Sequence, residues 1–304
     1  MEKKRIITNP FLKRLVNVYQ LQYTNGVAQG LGDYIRGSFC LLQIAALLGL
    51  QFDMDIRNHP MSKYIQETGE PYNNINYSSI AKYKNINYIP INAKSFKKNS
   101  EQFFHEFIYE MNRQEPKVEN YYTFCNSFPV FDNYPEKARM FIKSKLQPNE
   151  TLLPYIAERM KLLELSFKQF SVIHIRSGDK YLFKNNRLNT IVVRKIVNIL
   201  KRSCKPNQKY LLLSDNNQIK AALKSIFPLF IIHNSSIVHL GEQPNMNDDK
   251  NDSGIRDTLI DFFIMSNASH IIGFSPYNWG SGFSQWCSVL YNIPFFQFQV
   301  LDTL

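Results

Sequence analysis

The stretch FSVIHIRSGDK, residues 170–180, decides the fold of the second half of this chain. An apolar run that ends at Ile175 passes into a charged turn with a glycine, as expected where a buried strand ends. His174, Arg176 and Asp179 all fall at this end. The planar fork of arginine forms paired, charge-assisted hydrogen bonds with phosphate, so the turn is a candidate anion site. A structural ion pair between Arg176 and Asp179 explains the turn equally well.

Outward from this stretch, apolar strands alternate with helices as far as the C-terminus. Strands are predicted at 171–175, 209–215, 229–233, 270–275 and 293–298, and helices at 188–202, 217–227, 256–268 and 282–292. Such alternation predicts a doubly wound α/β domain, in which ligands bind at the carboxyl ends of the strands.

Further polar residues fall at the predicted strand ends. Ser214 and Asp215 end one strand, Ser275 ends another, and Ser281 and Ser284 open the next helix. A helix N-terminus with a serine hydroxyl favours an anion, and an aspartate accepts hydrogen bonds from a base or a ribose. Together these residues predict a nucleotide-diphosphate site. The alternatives are helix capping for the serines and Asp215, and an ordinary half-buried histidine for His174.

The first half also begins as a parallel α/β unit. A strand at 15–23, a glycine-rich turn at 24–33, an apolar helix at 34–50 and a strand at 50–56 are predicted. Residues 58–148 are less regular, with a helix predicted at 101–113, and a helix at 149–170 leads out. We therefore expect an N-terminal domain over 1–168 and a C-terminal domain over 169–304.

Composition places few limits on function. The 304 residues carry a formal charge of +11, which favours anionic partners without selecting nucleic acid, because no basic run occurs. The four cysteines lack metal-site spacing, so we expect free thiols. The longest apolar stretch, 39–50, is shorter than the roughly 20 residues of a membrane span. No secretory leader pattern opens the chain, and a cytoplasmic location without a membrane span is expected.

Three motifs carry a family resemblance. VIHIRSGDK, LLLSDN and DTLIDFFIMSNASHIIGFSPYNWGSGFSQWCSVLYNIP resemble, in this order, the motifs of the fucosyltransferase-like superfamily of GT-B glycosyltransferases. That superfamily includes α1,6- and α1,2-fucosyltransferases and protein O-fucosyltransferases. GLGDYIRGSFCLLQIAALLG, at 30–49, looks like its N-terminal glycine-rich turn and helix. The resemblance implies two facing, doubly wound Rossmann-like domains with a cleft between them. The N-terminal domain, 1–168, would be on the acceptor side, and the C-terminal domain, 169–304, would bind the nucleotide sugar.

The resemblance also implies roles for individual residues. Arg176 would bind the β-phosphate of GDP-fucose and stabilise the leaving diphosphate. The other implied nucleotide-sugar contacts are His174 and Asp179 around the nucleotide, Asp215 and Asp261 at the guanine and ribose, Ser281 or Ser284 at the phosphates, and Gly30 and Gly32 near the sugar.

This chain departs from the family pattern at three places. Ser177 stands where many members have a second arginine, so one phosphate contact is either missing or supplied by Lys180, Arg187 or Arg36. The catalytic glutamate of the α1,6-fucosyltransferases has no counterpart in 179–187. An insertion at 276–280 leaves either Ser275 or Ser281 as the counterpart of the family's serine.

The predicted function is an inverting, metal-independent transfer of a sugar from a nucleotide sugar, preferably GDP-fucose, to a hydroxyl of a glycan or glycoprotein. Arg176 would act electrostatically on the leaving group. Asp33, in the glycine-rich turn, is the candidate base, with helix capping as its alternative.

Two other functions stay open on the sequence alone. The stretch DMD contains Asp53 and Asp55, which could hold a metal ion in a metal-dependent glycosyltransferase that uses another nucleotide sugar. A half-exposed strand explains the same alternation of polar and apolar residues without a metal. A non-catalytic module that binds nucleic acid or a sugar phosphate would fit the charge and the 17 tyrosines.

Overall fold

The structure, a computed structural model, describes residues 12–23, 26–27, 30–66, 87–89, 119–129, 131–177, 183–184, 187–240, 249–277 and 280–300. The chain divides into two compact units, Met1–Gln147 with Leu240–Gln243, and Pro148–His239 with Pro244–Leu304. The first unit therefore ends 21 residues before the boundary predicted at 168. The helix at Leu153–Leu162 packs against the helix at Asp249–Ser266, which places it with the second unit.

The first unit contains a four-stranded parallel sheet. Its strands are β1 (Arg14–Val18), β4 (Gln51–Asp55), β5 (Asn87–Ile89) and β6 (Asn120–Cys125), in the order β4-β1-β6-β5. Strand β1 ends at Val18, and residues 22–23 (β2) and 26–27 (β3) form a short antiparallel hairpin. The predicted strand at 15–23 is thus two shorter strands.

Helix α1 (Leu31–Leu48) is the central helix of this unit, and α2 (Glu136–Lys145) follows the sheet. Helix α1 ends where Gly49 adopts a left-handed conformation, with φ of 69°, and its N–H bonds back to the last turn. By length and hydropathy alone α1 could span a bilayer, but 67% of that window is buried inside the protein, as in a core helix.

The packing of α1 against β6 depends on Gly37. A Cβ atom at this position would overlap the carbonyl group of Cys125 at the end of β6. We expect Gly37→Ala to destabilise the protein by about 3 kcal/mol, because backbone atoms cannot move aside as a flexible side chain can. Urea denaturation followed by circular dichroism measures this loss.

A matched control for this substitution lies at the end of the same helix. Nothing lies within 4 Å of a Cβ placed on Gly49, so Gly49→Ala tests left-handed strain alone. Its expected cost is about 1 kcal/mol. Equal losses from Gly37→Ala and Gly49→Ala would contradict the proposed overlap.

An aromatic stack is buried in the first unit. Tyr19 lies between Tyr34 and His59, with ring centroids 4.4 and 4.1 Å away. The Met61 N–H donates to His59 Nδ1, so His59 Nε2 carries the proton and donates to the Leu240 carbonyl at 2.7 Å. Burial lowers the pKa of His59 to about 4, which keeps the ring neutral.

The second unit contains a five-stranded parallel sheet, in the order β11-β10-β7-β12-β13. Its strands are β7 (Phe170–Ile175), β10 (Lys209–Ser214), β11 (Ile231–Ile232), β12 (Ile271–Ser275) and β13 (Phe295–Gln299). A two-residue pair, Phe183–Lys184 (β8) and Arg187–Leu188 (β9), lies outside this sheet. The chain goes outward from β7 to β10 and β11, and then returns to β12 and β13. The switch point, where ligands bind in such sheets, is therefore between β7 and β12.

Five helices in the described part of the second unit accompany this sheet. They are α3 (Leu153–Leu162), α4 (Thr190–Ser203), α5 (Asn217–Ile226), α6 (Asp249–Ser266) and α7 (Gly282–Tyr291). The alternation predicted for the second half is confirmed, and the fold is of the α/β class.

The predicted helix at 149–170 is shorter than expected. Asn149 Oδ1 accepts from the Thr151 and Leu152 N–H groups in a turn before the helix. Beyond it, Glu164 and Lys168 have φ of 50° and 58°, values that end a right-handed helix. Helix α2 was not predicted, and the helix predicted at 101–113 lies outside the described residues.

Candidate active site

Arg176 lies directly after β7, at the switch point of the second sheet. Its backbone N–H donates to the Phe274 carbonyl of β12 at 2.9 Å, which continues the pairing between the two strands. Its Nη1 donates to Asp215 Oδ2 at 2.7 Å. The register of β10 and β7, which pairs Ser214 with Ile175, brings Asp215 to this position.

Asp215 is held from several sides. Its Oδ1 accepts from the Ser177 N–H at 2.7 Å, the Ser177 hydroxyl at 2.6 Å and the Ser214 hydroxyl at 3.3 Å. Asp215 therefore accepts hydrogen bonds from both the N–H and the hydroxyl of Ser177, the residue that stands where many family members have a second arginine. The carboxylate is a fixed anchor for one side of Arg176.

The rest of the Arg176 guanidinium is open. Among the residues that the structure describes, Asp215 is its only hydrogen-bonding partner, and that contact uses one of five N–H groups. The side chain is 23% exposed. A cation held on one side and open on the other is suited to bind an oxyanion.

His174 is buried one residue before the end of β7. Its Nδ1 lies 3.0 Å from the Ser284 hydroxyl of α7, and its ring lies near Phe283. Burial lowers the pKa of His174 to about 4; Asp215 opposes this shift and Arg176 adds to it. The ring is therefore neutral at physiological pH. The structure pairs His174 with Ser284, two residues that the resemblance assigned separately to the nucleotide and to the phosphates.

The two serines on either side of the 276–280 insertion differ in their contacts. The Ser275 hydroxyl accepts from the Tyr277 N–H at 3.1 Å and is fully buried. Ser281 occupies the N-cap position of α7, but its side chain makes no capping hydrogen bond. No partner for its hydroxyl occurs within the described ranges. Ser281 is thus the serine whose hydroxyl is left for a ligand at this helix N-terminus.

Helix capping does not explain Ser214 and Asp215. The N-cap of α5 is Asn216, whose Oδ1 accepts from the Gln218 and Ile219 N–H groups at 2.8 and 3.3 Å. The Ser214 hydroxyl accepts from the Asn216 N–H at 3.2 Å. These two residues support Arg176 and the turn instead.

Asp261 is a buried carboxylate on α6. It is 5% exposed, and no hydrogen bond reaches it from any residue that the structure describes. Burial raises its pKa to about 7, an effect that Lys220 and Arg159 oppose and Asp257 reinforces. Burying a carboxylate costs folding free energy, and the positive charges of Lys220 and Arg159 offset part of that cost.

This cost predicts a pH-dependent gain on removal of the charge. Because the pKa of Asp261 is higher in the folded than in the unfolded chain, folded stability falls as pH rises from about 4 to about 7. Asp261→Asn is expected to raise the melting temperature at pH 8 and to leave it nearly unchanged at pH 4. A melting temperature at pH 8 equal to that of the unsubstituted protein would contradict a destabilising carboxylate.

Helix α1 begins at Leu31, three residues before the predicted start at 34, so Asp33 of the glycine-rich stretch lies in the first turn of the helix. Asp33 pairs with Arg36 Nη2 at 2.9 Å, and Gly30, not Asp33, is the N-cap of the helix. Gly32 is buried in the same turn. The capping alternative for Asp33 is therefore wrong.

Arg36 is engaged inside the first unit. Its Nε donates to the Asn126 carbonyl at 2.7 Å, and its guanidinium lies 4.3 Å from the centre of the Phe128 ring. Because its Nη2 also pairs with Asp33, Arg36 is a weak candidate for the phosphate contact that a second arginine would make. The other two candidates, Lys180 and the side chain of Arg187, lie outside the described residues, as does Asp179.

Asp53 and Asp55 are paired separately with cations. Asp53 Oδ1 lies 3.1 Å from Lys145 Nζ, and Asp55 accepts from Arg57 Nε and Nη2 at 3.0 and 2.8 Å. Both carboxylates are buried, so the half-exposed strand alternative is wrong. Within the described ranges no group of three or more potential metal ligands occurs.

Sequence analysis did not identify three charged residues that surround Asp261. Lys220, Arg159 and Asp257 are buried or nearly so, and Arg159 Nη2 lies 3.5 Å from Asp257 Oδ1. The one available signal was Lys220, which stands among apolar residues on the buried side of a strongly amphipathic helix.

Comparison with known proteins supports the fold. No protein-family profile and no curated protein sequence matches the chain. A solved structure of NodZ α1,6-fucosyltransferase co-crystallised with GDP is similar, with a TM-score of 0.57, 12% identity and 95% of each chain covered. A structure of FUT1 from Arabidopsis thaliana in complex with GDP has a TM-score of 0.54 and 12% identity, and covers 96% of this chain and 71% of that one.

Another structure of NodZ, soaked with GDP-fucose, has a TM-score of 0.56, 13% identity and coverage of 94% and 95%. These similarities extend over nearly the whole chain, and the resemblance noted in the motifs is confirmed at the level of the fold. This chain has the fold of the fucosyltransferase-like GT-B glycosyltransferases.

Proposed function

We propose that this protein is an inverting glycosyltransferase that moves a sugar, preferably fucose from GDP-fucose, to a hydroxyl of a glycan or glycoprotein. The observation that carries the proposal is Arg176 at the switch point of the second sheet, held by Asp215 on one side and open on the other. Departure of the nucleotide leaves negative charge on the diphosphate. A preorganised guanidinium stabilises that charge without reorganising during the reaction.

Two other groups support a diphosphate at this edge. Ser281 has a hydroxyl without a partner in the described part of the chain, at the positive end of the ten-residue helix α7. The Ser284 hydroxyl lies 3.0 Å from His174 Nδ1, which joins α7 to the end of β7. Asp215 anchors Arg176 in this proposal, and recognition of the base falls to Asp261.

Guanine is the base that suits Asp261. Its Watson–Crick edge presents two adjacent N–H donors, N1–H and the amino group, and an ionised carboxylate presents two adjacent acceptor oxygens. NodZ structures with GDP and with GDP-fucose, which share this fold, favour the same donor class. The reaction in this proposal needs no metal, because Arg176 and the α7 N-terminus supply the positive charge.

A thermal-shift screen with GDP, UDP, dTDP and short oligonucleotides tests this proposal. We expect stabilisation by GDP that persists in EDTA. Release of GDP from GDP-fucose then tests turnover. Stabilisation by oligonucleotides alone would favour the non-catalytic nucleic-acid module, and loss of the GDP shift in EDTA would favour the metal-dependent alternative.

A further inference from the structure

The amino ends of the five strands form one edge of the second sheet, opposite the ends that carry Arg176. Because all five strands are parallel, the segments that lead into them lie together along this edge. The six residues of β7 span about 20 Å, so the edge lies about that far from Arg176. This amino edge consists of residues 163–169, 204–209, 227–230, 267–270 and 292–294, together with the last turns of α3 and α4.

Large apolar side chains are exposed along the amino edge. Leu229 is 82% exposed, and Leu162 and Phe167 are 67% and 66% exposed. These are three of the four most exposed large apolar side chains in the described part of the chain, and the fourth is Ile191 at the start of α4. One exposed apolar residue is ordinary, but several along one edge mark an interaction surface.

The amino edge is also positively charged. It carries four exposed cations, Lys201, Arg202, Lys205 and Lys209. None of the four forms an ion pair with any residue that the structure describes, and Lys209 donates to the Glu164 carbonyl at 3.0 Å. Glu164 is the one acidic residue in the segments of this edge. The positive charge of the edge is therefore largely uncompensated.

The cations lie close to the exposed apolar side chains. The register of β11 with β10 sets Leu229 level with Lys209 on the neighbouring strand. On the other side of β10, Lys168 Nζ lies 5.4 Å from the centre of the Phe167 ring and donates to the Ala268 carbonyl. Charge and apolar surface are thus interleaved along the edge and do not form two separate patches.

This combination selects among possible partners. Stabilisation of a helix end by its dipole explains Lys201 and Arg202, but Lys205 and Lys209 lie outside helices. A second copy of the chain would bring two positive edges together, and they would repel each other. Nucleic acid matches the charge, but its interfaces are polar and give no role to exposed aliphatic side chains such as Leu162 and Leu229.

We propose that the amino edge docks reversibly on an anionic membrane surface. Leu162, Phe167 and Leu229 enter the boundary between headgroups and acyl chains, and the cations of the edge contact anionic headgroups. Apolar burial and electrostatic attraction add up in such peripheral binding. Arg176, at the opposite ends of the strands, then lies on the side of the sheet away from the bilayer. This inference does not depend on the proposed function.

Sedimentation of the full chain with lipid vesicles tests the docking. Binding to phosphatidylcholine vesicles that contain phosphatidylglycerol should be at least about tenfold stronger than to phosphatidylcholine alone, and salt should weaken it. The double variant Phe167→Ser with Leu229→Ser should bind at least about tenfold more weakly, because apolar burial is lost. Ile191→Ser, which removes a similarly exposed side chain outside the amino edge, should leave binding unchanged.

A matched pair of lysines tests the charge. Lys205→Gln should weaken binding to the anionic vesicles about fivefold. Lys137→Gln removes the same charge from an exposed lysine of α2 in the first unit and should leave binding unchanged. Equal losses from the two substitutions would mean that binding follows net charge alone, and the proposed surface would be wrong.

A direct readout completes the test. After subtraction of the emission of the unsubstituted protein, the added tryptophan of Leu229→Trp should shift to shorter wavelength with anionic vesicles and be quenched by brominated lipid. The added tryptophan of Ile191→Trp should do neither. Melting temperatures establish that each variant is folded.

Three results would overturn the docking. They are no binding of the unsubstituted protein to anionic vesicles, an unshifted emission of vesicle-bound Leu229→Trp, and full binding by the folded double variant. A duplex oligonucleotide that binds while anionic vesicles do not would identify nucleic acid as the partner instead.

Discussion

Arg176→Ala is expected to lower the turnover of GDP-fucose by about 10²–10³-fold, the usual cost of removing one preorganised group that stabilises developing negative charge. The loss should appear mainly in kcat, because charge on the diphosphate grows as the bond to the sugar breaks. Release of GDP from GDP-fucose, with and without a glycan acceptor, measures the effect.

The controls for this variant separate charge from structure. Arg176→Lys keeps a positive charge but loses the fork that reaches Asp215 and a phosphate together, so intermediate activity is expected. Arg194→Ala removes an exposed arginine of α4 and should leave turnover unchanged. Wild-type turnover by a folded Arg176→Ala protein, with GDP-fucose or any other nucleotide sugar, would refute the role of Arg176.

Asp33→Asn is expected to lower turnover by about 10²–10⁴-fold, because it removes the proposed general base while keeping the size of the side chain. Asp33 is partly exposed, and its pairing with Arg36 orients the carboxylate in the first turn of α1. The KM for GDP-fucose should change little, because the base acts on the acceptor hydroxyl and not on the donor.

Asp132→Asn is the matched control for Asp33→Asn, because Asp132 is an exposed carboxylate of the same unit. It should retain full turnover. If Asp33→Asn lost donor affinity and kept kcat, Asp33 would be a binding residue, and the base would have to be sought elsewhere.

The doubly wound class of the second unit was predictable because its strands and helices alternate with distinct hydrophobic periods. Residues such as Arg176 and Ser281 could be proposed for a site because parallel strands bring their carboxyl ends to one edge. The partner of Arg176 was not predictable. It depends on the register that sets β10 against β7. Both strands are buried on both faces, so no alternation of apolar and polar residues specifies that register.

Other features could not be predicted from the sequence, for different physical reasons. Helix α2 has a weak apolar face, with Ala138 and Ile142 as its buried residues, so no strong period marks it. The pairing of Asp53 with Lys145 joins residues far apart in the chain, and spacing alone suggested a metal motif. Lys220 falls on the apolar side of its helix, but only the packing of that helix shows that the lysine itself is buried.

The hydrogen bond from His59 to the Leu240 carbonyl has a consequence for expression of fragments. The first unit is completed by Leu240–Gln243, so a fragment that ends at residue 147 would lack the only acceptor that the described residues offer to the buried His59 Nε2–H. Each unit is made of two separate segments of the chain, so neither is encoded by one continuous stretch of the gene. Measurements of donor binding therefore need the whole chain, or two fragments expressed together.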